Sequence, residues 1–277
     1  MSASAWRVRD ARCPIPTLAN GSPREAGYTP PVAKPDCVYF FGTCLVDLLY
    51  PRVGLAAMRL LRREGLRVIF PQAQTCCGQP AYNSGYRREA RQVARRQLDV
   101  FPAEIPLVVP SASCAGMLRV QYPRLFADTP DAGRATALAG RVYELTDFLA
   151  RVVDFRPRDR GRPLRVVLHN SCSARRELGV AGAATELLGR LANVQTVEPG
   201  HAHDCCGFGG TFAVKQPEIS AAMASDKADA VAAAAAPLLV GQDCGCLMNL
   251  GCTFAHRGDG PVVKHIAELL WERTQDE

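Results

Sequence analysis

No run of 18 or more apolar residues occurs in this chain of 277 residues, which excludes a membrane-spanning helix of ordinary length. Residues 1–36 carry scattered charges and no apolar segment, so a secretory signal is not expected either. The chain also lacks a G-x-G-x-x-G fingerprint, a P-loop and a flavin fingerprint, so we expect no flavin or nicotinamide site. These absences predict a cytoplasmic protein that does not itself hold an organic redox cofactor.

Lysine is scarce as well. Only four of the 33 basic residues are lysines, and the net charge of +6 comes from arginines. The arginines do not form a dense block interleaved with aromatic residues, and those over 87–96 recur at the spacing of a solvated helix face. We therefore expect no nucleic-acid partner.

What the chain has in excess is cysteine, with twelve residues. Cytosolic thiols stay reduced, so this many structural disulfides are not expected in that location. Three interpretations remain, namely metal sites, thiol redox chemistry, or small buried side chains.

From residue 37 onward, short apolar runs alternate with segments of helical periodicity, and the alternation occurs twice. This pattern is typical of parallel sheets with helical crossovers. We predict an α/β fold of two pseudo-symmetric Rossmann-like halves, each with a small parallel sheet. The predicted divisions are a loose N-terminal extension over 1–36, a first half over 37–140, a connecting helix and linker over 141–163, and a second half over 164–277. Helices are predicted over 141–153 and, at the end of the second half, over 262–273.

The cysteines fall at matching points of the two halves. In each half a single cysteine is followed after 31 or 32 residues by Cys-Cys-Gly, and after another 36 or 39 residues by a further cysteine. The positions are Cys44, Cys76, Cys77 and Cys114 in the first half, and Cys172, Cys205, Cys206 and Cys246 in the second. Each of these positions follows a predicted strand.

Parallel strands end at one edge of a sheet, where open α/β sheets bind their ligands, so the four thiols of a half should converge there. Four thiols suit a tetra-thiolate iron–sulfur cluster, and the glycine after each pair lets the backbone approach a bulky ligand. Zinc is a rival because four thiolates bind it well. A metal-free dithiol is another, although adjacent cysteines rarely form a relaxed disulfide.

The segments around these cysteines resemble the CCG cysteine-rich domain family. This family includes the B subunit of heterodisulfide reductase and the iron–sulfur subunits of glycolate and glycerol-3-phosphate oxidising enzymes. The closer resemblance, over residues 37–272, is to the lactate-utilisation protein A group. The motifs are Thr43-Cys44, FPQAQTCCGQPAYNSGY at 70–86, PSASC at 110–114, HNSCSARRELGV at 169–180, DCCGFGGTFAVKQPEIS at 204–220 and CLMN at 246–249.

The resemblance implies a cytoplasmic iron–sulfur subunit of a complex that oxidises L-lactate to pyruvate. Its implied partners are companion lactate-utilisation subunits, one of them a ferredoxin-like iron–sulfur protein. The implied cluster ligands are Cys44, Cys76, Cys77, Cys114, Cys172, Cys205, Cys206 and Cys246. Three alternatives remain. The chain could be a subunit of a glycolate or glycerol-3-phosphate oxidising complex, a subunit of a heterodisulfide-type thiol–disulfide reductase, or a zinc scaffold.

The chain departs from the family at several positions. Members with established double clusters end each half with Cys-x2-Cys, where this chain has Met117 and Asn249. Four core thiols per half, rather than five, favour a plain [4Fe–4S] cluster in one half or in both. Cys244 is extra and could substitute for a ligand or bridge. The remaining cysteines, Cys13, Cys37 and Cys252, lie outside the repeat.

Three histidines lie near the second-half motifs, namely His169, His201 and His203. Their side chains could tune a cluster or relay a proton, but we predict turn or surface positions for them. Asp243 is expected either to orient backbone at the second site or to serve as a turn residue.

Overall fold

The computed structural model describes residues 34–102 and 104–275. The strands are β1 (Cys37–Phe40), β2 (Arg67–Ile69), β3 (Leu107–Val109), β4 (Val142–Glu144), β5 (Leu164–His169), β6 (Val194–Val197), β7 (Leu238–Gly241) and β8 (Val262–His265). They form two four-stranded sheets, in the orders β2-β1-β3-β4 and β6-β5-β7-β8. All the strand pairs are parallel. The α/β fold with two matching halves is therefore confirmed.

The helices connect these strands. Those of the first half are α1 (Cys44–Leu48), α2 (Pro51–Arg63), α3 (Gln79–Asn83), α4 (Arg87–Val100), α5 (Ala112–Gly116), α6 (Tyr122–Phe126), α7 (Ala132–Ala139) and α8 (Leu145–Asp147). Those of the second half are α9 (Ala181–Gly189), α10 (Phe212–Lys215), α11 (Pro217–Ala233), α12 (Cys244–Arg257) and α13 (Ile266–Thr274). Within the described residues, π-helical turns cover Met117–Gln121, Phe148–Val152 and Ser173–Glu177. No helix within the described ranges is long and apolar enough to cross a bilayer.

The alternating side chains of the strands divide between a central hydrophobic core and an outer core on each sheet. Val38 and Phe40 of β1 face the core between the two sheets, whereas Tyr39 and Phe41 face the outer side of the first sheet. The residues of β7 divide in the same way between the central core and the outer core of the second sheet. Because successive side chains of a strand point to opposite faces, both faces of each sheet are covered.

The central core joins the two halves. It contains buried residues of α2 and α8 from the first half and of α9 and α13 from the second. The Arg63 guanidinium of α2 donates a hydrogen bond of 2.7 Å to the carbonyl of Thr274 in α13. The outer faces are covered by α4, α6 and α7 on the first sheet and by α11 and α12 on the second. The result is five alternating layers of helix and sheet.

The helices predicted over 141–153 and 262–273 are wrong at their N-terminal ends, where β4 and β8 lie. Each of these strands passes directly into a helix, and its last residue, Glu144 or His265, is the helix N-cap. No glycine or proline separates strand from helix, so the apolar residues of both merge into one periodic pattern. β4, within the segment expected to connect the halves, is hydrogen-bonded to β3 and completes the first sheet.

Candidate metal centres

The order of the strands brings the cysteines together. β1 has β2 on one side and β3 on the other, and β5 lies in the same way between β6 and β7. The chain therefore leaves neighbouring strands in opposite directions, which opens a crevice at their carboxyl ends. Cys44 begins α1 after β1, and Cys114 lies in α5 after β3. In the second half, Cys172 follows β5 and Cys246 lies in α12 after β7.

The four predicted thiols of the first half lie together. The Sγ atoms of Cys44 and Cys76 are 3.7 Å apart, and those of Cys77 and Cys114 are 3.4 Å apart. The backbone N–H of Gly78 points at Cys76 Sγ over 3.4 Å. Behind the motif, the Tyr122 hydroxyl donates a hydrogen bond of 2.9 Å to the carbonyl of Cys77. We refer to Cys44, Cys76, Cys77 and Cys114 as the first thiol set.

The second half repeats this arrangement. The Sγ atoms of Cys206 and Cys246 are 2.8 Å apart, and the N–H of Gly207 points at Cys205 Sγ over 3.4 Å. Asn249, where the family pattern has a fifth cysteine, donates a hydrogen bond of 2.7 Å to the carbonyl of Cys206. At this position the chain therefore has a group that supports the motif instead of a fifth thiol. We refer to Cys172, Cys205, Cys206 and Cys246 as the second thiol set.

Thiols within each set share protons. The hydrogen bond with Cys44 lowers the pKa of Cys76 to about 3, and the bond with Cys172 holds the pKa of Cys205 far below its usual range. Conversely, the hydrogen bond with Cys114 raises the pKa of Cys77. Without a cation, closely spaced thiolates repel one another, so some sulfurs must stay protonated. A metal that displaces the shared protons would remove this repulsion.

The glycine after each cysteine pair is required by the backbone. Gly78 has a φ of 86° and Gly207 a φ of 81°, in the left-handed region. A Cβ at Gly78 would lie 3.3 Å from the carbonyl oxygen of Ala90, and one at Gly207 would lie 2.5 Å from that of Ser220. The positive φ strains any other residue at both positions, and at Gly207 a side chain would also clash with the backbone. The adjoining amides can therefore point at Cys76 and Cys205.

These features fit a metal or iron–sulfur group in each half. Thiolates are the ligands that zinc and iron–sulfur clusters take in proteins, and amide donors to sulfur are typical of cluster sites. Cys244 instead packs in the central core, and Cys252 is exposed on α12. Cys37 is buried in β1, and Cys13 lies outside the described residues.

The prediction for His169 is wrong, because this side chain is 2% exposed and lies at the end of β5. One of its ring nitrogens lies within 4.8 Å of the sulfurs of Cys206 and Cys246. Burial lowers the pKa of His169 to about 3, so the imidazole is neutral. The side chains of His201 and His203 are at least partly exposed, and only His169 reaches the second thiol set.

Two further polar residues near the thiol sets were not singled out in the sequence. Lys227, which is 1% exposed, donates a hydrogen bond of 2.7 Å to the carbonyl of His201, at the base of the second motif. Gln97 occupies the matching position of α4 and is bonded to Thr75 at the base of the first motif. Each of these residues lies on a helix face that is otherwise apolar. A polar residue at a position of the apolar helical repeat is the sequence signal that could have identified them.

A cavity of about 280 Å³ lies beside the second thiol set and is lined by residues of both halves. Its walls include Asn83 and Ser113 from the first half, and Cys172, Cys205 and Cys246 from the second. Asp243 is the N-cap of α12, where it accepts a hydrogen bond from Gly245, and it also accepts one from Ser113 across the halves. It therefore orients backbone at the second site, one of the two roles predicted for it.

Comparison with known proteins follows this two-fold organisation. The profile of the CCG cysteine-rich domain family matches residues 38–119 and 166–251, once in each half. The chain is 45% identical over 240 residues to lactate utilization protein A of Geobacillus kaustophilus, across 86% of this chain and 99% of that protein. It is 43% identical over 237 residues to lactate utilization protein A of Bacillus subtilis, across 85% and 99% of the two chains.

A hypothetical protein from Helicobacter pylori has a similar fold, with a TM-score of 0.62 at 8% sequence identity. The match covers 91% of this chain and 52% of that chain, so the present fold accounts for about half of the larger protein. The sequence matches, by contrast, extend over both cysteine motifs and nearly the full length of the relatives. The chain therefore belongs to the lactate utilization protein A family of CCG cysteine-rich-domain proteins.

Proposed function

We propose that this chain is an iron–sulfur electron-transfer subunit of a complex that oxidises L-lactate to pyruvate. The observation that carries the proposal is the convergence of two thiol sets, four cysteines each, at the strand ends of two matched sheets. Iron–sulfur groups held there would supply one-electron redox chemistry. The cytoplasmic location is part of the proposal, since all eight cysteines of the two thiol sets are free thiols, as suits a reducing compartment.

The residues of the chain would hold such a group in three ways. The thiolates of each set bind it, with Cys44, Cys76, Cys77 and Cys114 in the first half and Cys172, Cys205, Cys206 and Cys246 in the second. The amides of Gly78 and Gly207 donate toward sulfur and so stabilise its negative charge. Burial of Cys77, Cys206 and Cys246 keeps water from one side of each site.

Lactate is the proposed substrate of the complex rather than of this chain alone. The relatives that match this chain over nearly their full length are named for lactate utilization. Oxidation of a 2-hydroxy acid releases an electron pair, which is ordinarily accepted at a flavin or nicotinamide. The sequence has no fingerprint for either cofactor. A companion subunit would therefore accept the electron pair, and this chain would pass electrons one at a time, with a ferredoxin-like companion as the neighbouring carrier.

The first experiment is an assay of iron, acid-labile sulfide and zinc on anaerobically purified chain. About four iron and four sulfide for each occupied half support the proposal, and the total reports whether one half or both are filled. Zinc without sulfide, reproduced after anaerobic reconstitution, contradicts electron transfer and leaves a structural role.

The second experiment separates the substrates. A deletion strain is grown on L-lactate, glycolate, glycerol-3-phosphate or glucose as the carbon source, and is then complemented with the chain. We expect a growth defect confined to lactate that the wild-type chain restores. A defect confined to glycolate or to glycerol-3-phosphate would contradict the assignment to lactate while leaving the iron–sulfur role intact.

A further inference from the structure

His169 is buried with neither ring nitrogen satisfied. The side chain is 2% exposed, and neither Nδ1 nor Nε2 has a hydrogen-bond partner among the described residues. A buried polar group without a partner destabilises the folded state, so most such groups in proteins are paired. An orphaned imidazole beside thiols therefore calls for a ligand that the polypeptide does not supply.

The surroundings of His169 indicate what that ligand is. One ring nitrogen and the sulfurs of Cys206 and Cys246 all lie within 4.8 Å of one another, and all three residues are buried. Imidazole and thiolate are the donors that zinc and iron accept together. Replacement of thiolate by imidazole ligands also occurs at iron–sulfur centres, where it raises the reduction potential.

The first half provides an internal comparison. His169 lies three residues before Cys172, and Phe41 lies three residues before Cys44. Phe41 is fully buried and packs in the outer core of the first sheet, together with Cys77 and Cys114. The same place beside the thiols is therefore apolar in one half and carries a metal-binding nitrogen in the other. The pseudo-symmetry of the fold does not extend to the donor sets.

We propose that His169 is a direct ligand of the metal centre in the second half, whereas the centre in the first half has thiolate ligands from the protein only. The identity of the metal as iron rests on the function proposed above, but the donor set itself would also hold zinc or cobalt. Two chemically distinct centres follow. The centre with the neutral nitrogen ligand has the less negative donor set, so it has the higher reduction potential of the two.

The test uses the full chain with its iron–sulfur centres, purified anaerobically. Pulsed electron paramagnetic resonance compares natural-abundance protein with protein grown on ¹⁵N-histidine. Cys76→Ser/Cys77→Ser protein isolates the second half, and Cys205→Ser/Cys206→Ser protein isolates the first. We expect coupling to a directly bonded histidine nitrogen in the former and none in the latter.

A variant pair then assigns the nitrogen. His169→Phe installs the first-half residue and should abolish the coupling, whereas His203→Phe, on the surface loop, should retain it. Mössbauer spectroscopy on ⁵⁷Fe-enriched protein also detects iron in states without unpaired spin. In wild type, the spectrum of one iron site of the second half should differ from those of the other iron sites. In His169→Phe this difference should disappear. The wild-type isotope comparison stands by itself if that variant does not fold.

The outcomes separate the two proposals. Iron and sulfide in the second half without nitrogen coupling or a distinct iron site would overturn the assignment of His169 and leave the iron–sulfur function standing. Absence of iron and sulfide from both halves would contradict the function instead. Cobalt(II) added to the metal-free chain would then test His169, whose replacement by phenylalanine should shift the visible absorption of the bound ion. An unchanged spectrum overturns the ligand assignment.

Discussion

The carboxylate of Asp243 accepts a hydrogen bond of 2.8 Å from the backbone N–H of Ser113, which lies 130 residues earlier in the chain. Its other oxygen accepts a bond of 3.2 Å from the N–H of Gly245. Ser113 precedes Cys114, and Gly245 precedes Cys246. One buried side chain therefore sets the position of a cysteine-bearing helix in each half.

Asp243→Ala should destabilise the metal-free chain by about 2–4 kcal/mol, because two amides at helix starts lose a carboxylate acceptor. Urea unfolding followed by circular dichroism measures the change. Asp243→Asn is the matched control. It keeps one acceptor oxygen and should lose only about half as much. Equal stability of wild type and Asp243→Ala would show that this contact does not join the halves.

Gly207→Ala should destabilise the chain by about 3 kcal/mol or more, since it combines a left-handed backbone with a contact of 2.5 Å to the carbonyl oxygen of Ser220. Gly85 has a φ of 83° and open space around it. Gly85→Ala should therefore cost only the strain of the backbone, about 1–2 kcal/mol. The difference between their urea midpoints isolates the steric contact. Similar midpoints would contradict close packing of Gly207 against the backbone of Ser220.

Cys206→Ser should remove the group held by the second half and lower iron and sulfide per chain to about half. The sulfur of Cys206 is buried and lies 2.8 Å from that of Cys246, so its loss opens the second thiol set. Cys252→Ser changes an exposed thiol on α12 and should leave both contents unaltered. Unchanged iron in Cys206→Ser, measured on the same preparations, would argue against Cys206 as a ligand.

Glu144 should make the stability of the chain fall as the pH rises. Burial raises the pKa of Glu144 from 4.5 to about 8, and its Oε1 has no hydrogen-bond partner among the described residues. The folded state thus keeps a proton that the unfolded state releases between these two values. Stability from this group is complete below the unfolded pKa and is lost as the pH rises through the folded one.

The matched variant is Glu144→Gln, which keeps the oxygen that accepts the bond of 2.8 Å from the N–H of Thr146. The difference in unfolding free energy between wild type and variant should change by roughly 1 kcal/mol per pH unit from about pH 5 to about pH 8, in the direction that disfavours wild type at high pH. Urea titrations across this range measure it. A constant difference would mean that Glu144 is not protonated in the folded state. Taking the difference between wild type and variant also removes the contribution of the buried histidines to the pH dependence of stability, because both proteins contain them.

Much of the fold followed from local patterns. The alternation of short apolar runs with segments of helical periodicity predicts parallel sheets in two matching halves, and the structure has them, because strands and helices repeat with different periods. β4 and β8 were missed because Glu144 and His265 end a strand and cap a helix at the same residue. A junction without a turn leaves no local signal.

The sequence by itself determined the two sets of four cysteines, since matched spacing in a repeated βα pattern requires the thiols of each half to meet at one edge of a parallel sheet. Only the tertiary structure decided what surrounds them. The burial of His169 without a partner, and the bond from Ser113 to Asp243, depend on how the two sheets pack around their shared central helices. Contacts of that kind join residues that are far apart in the chain, and no local periodicity encodes them.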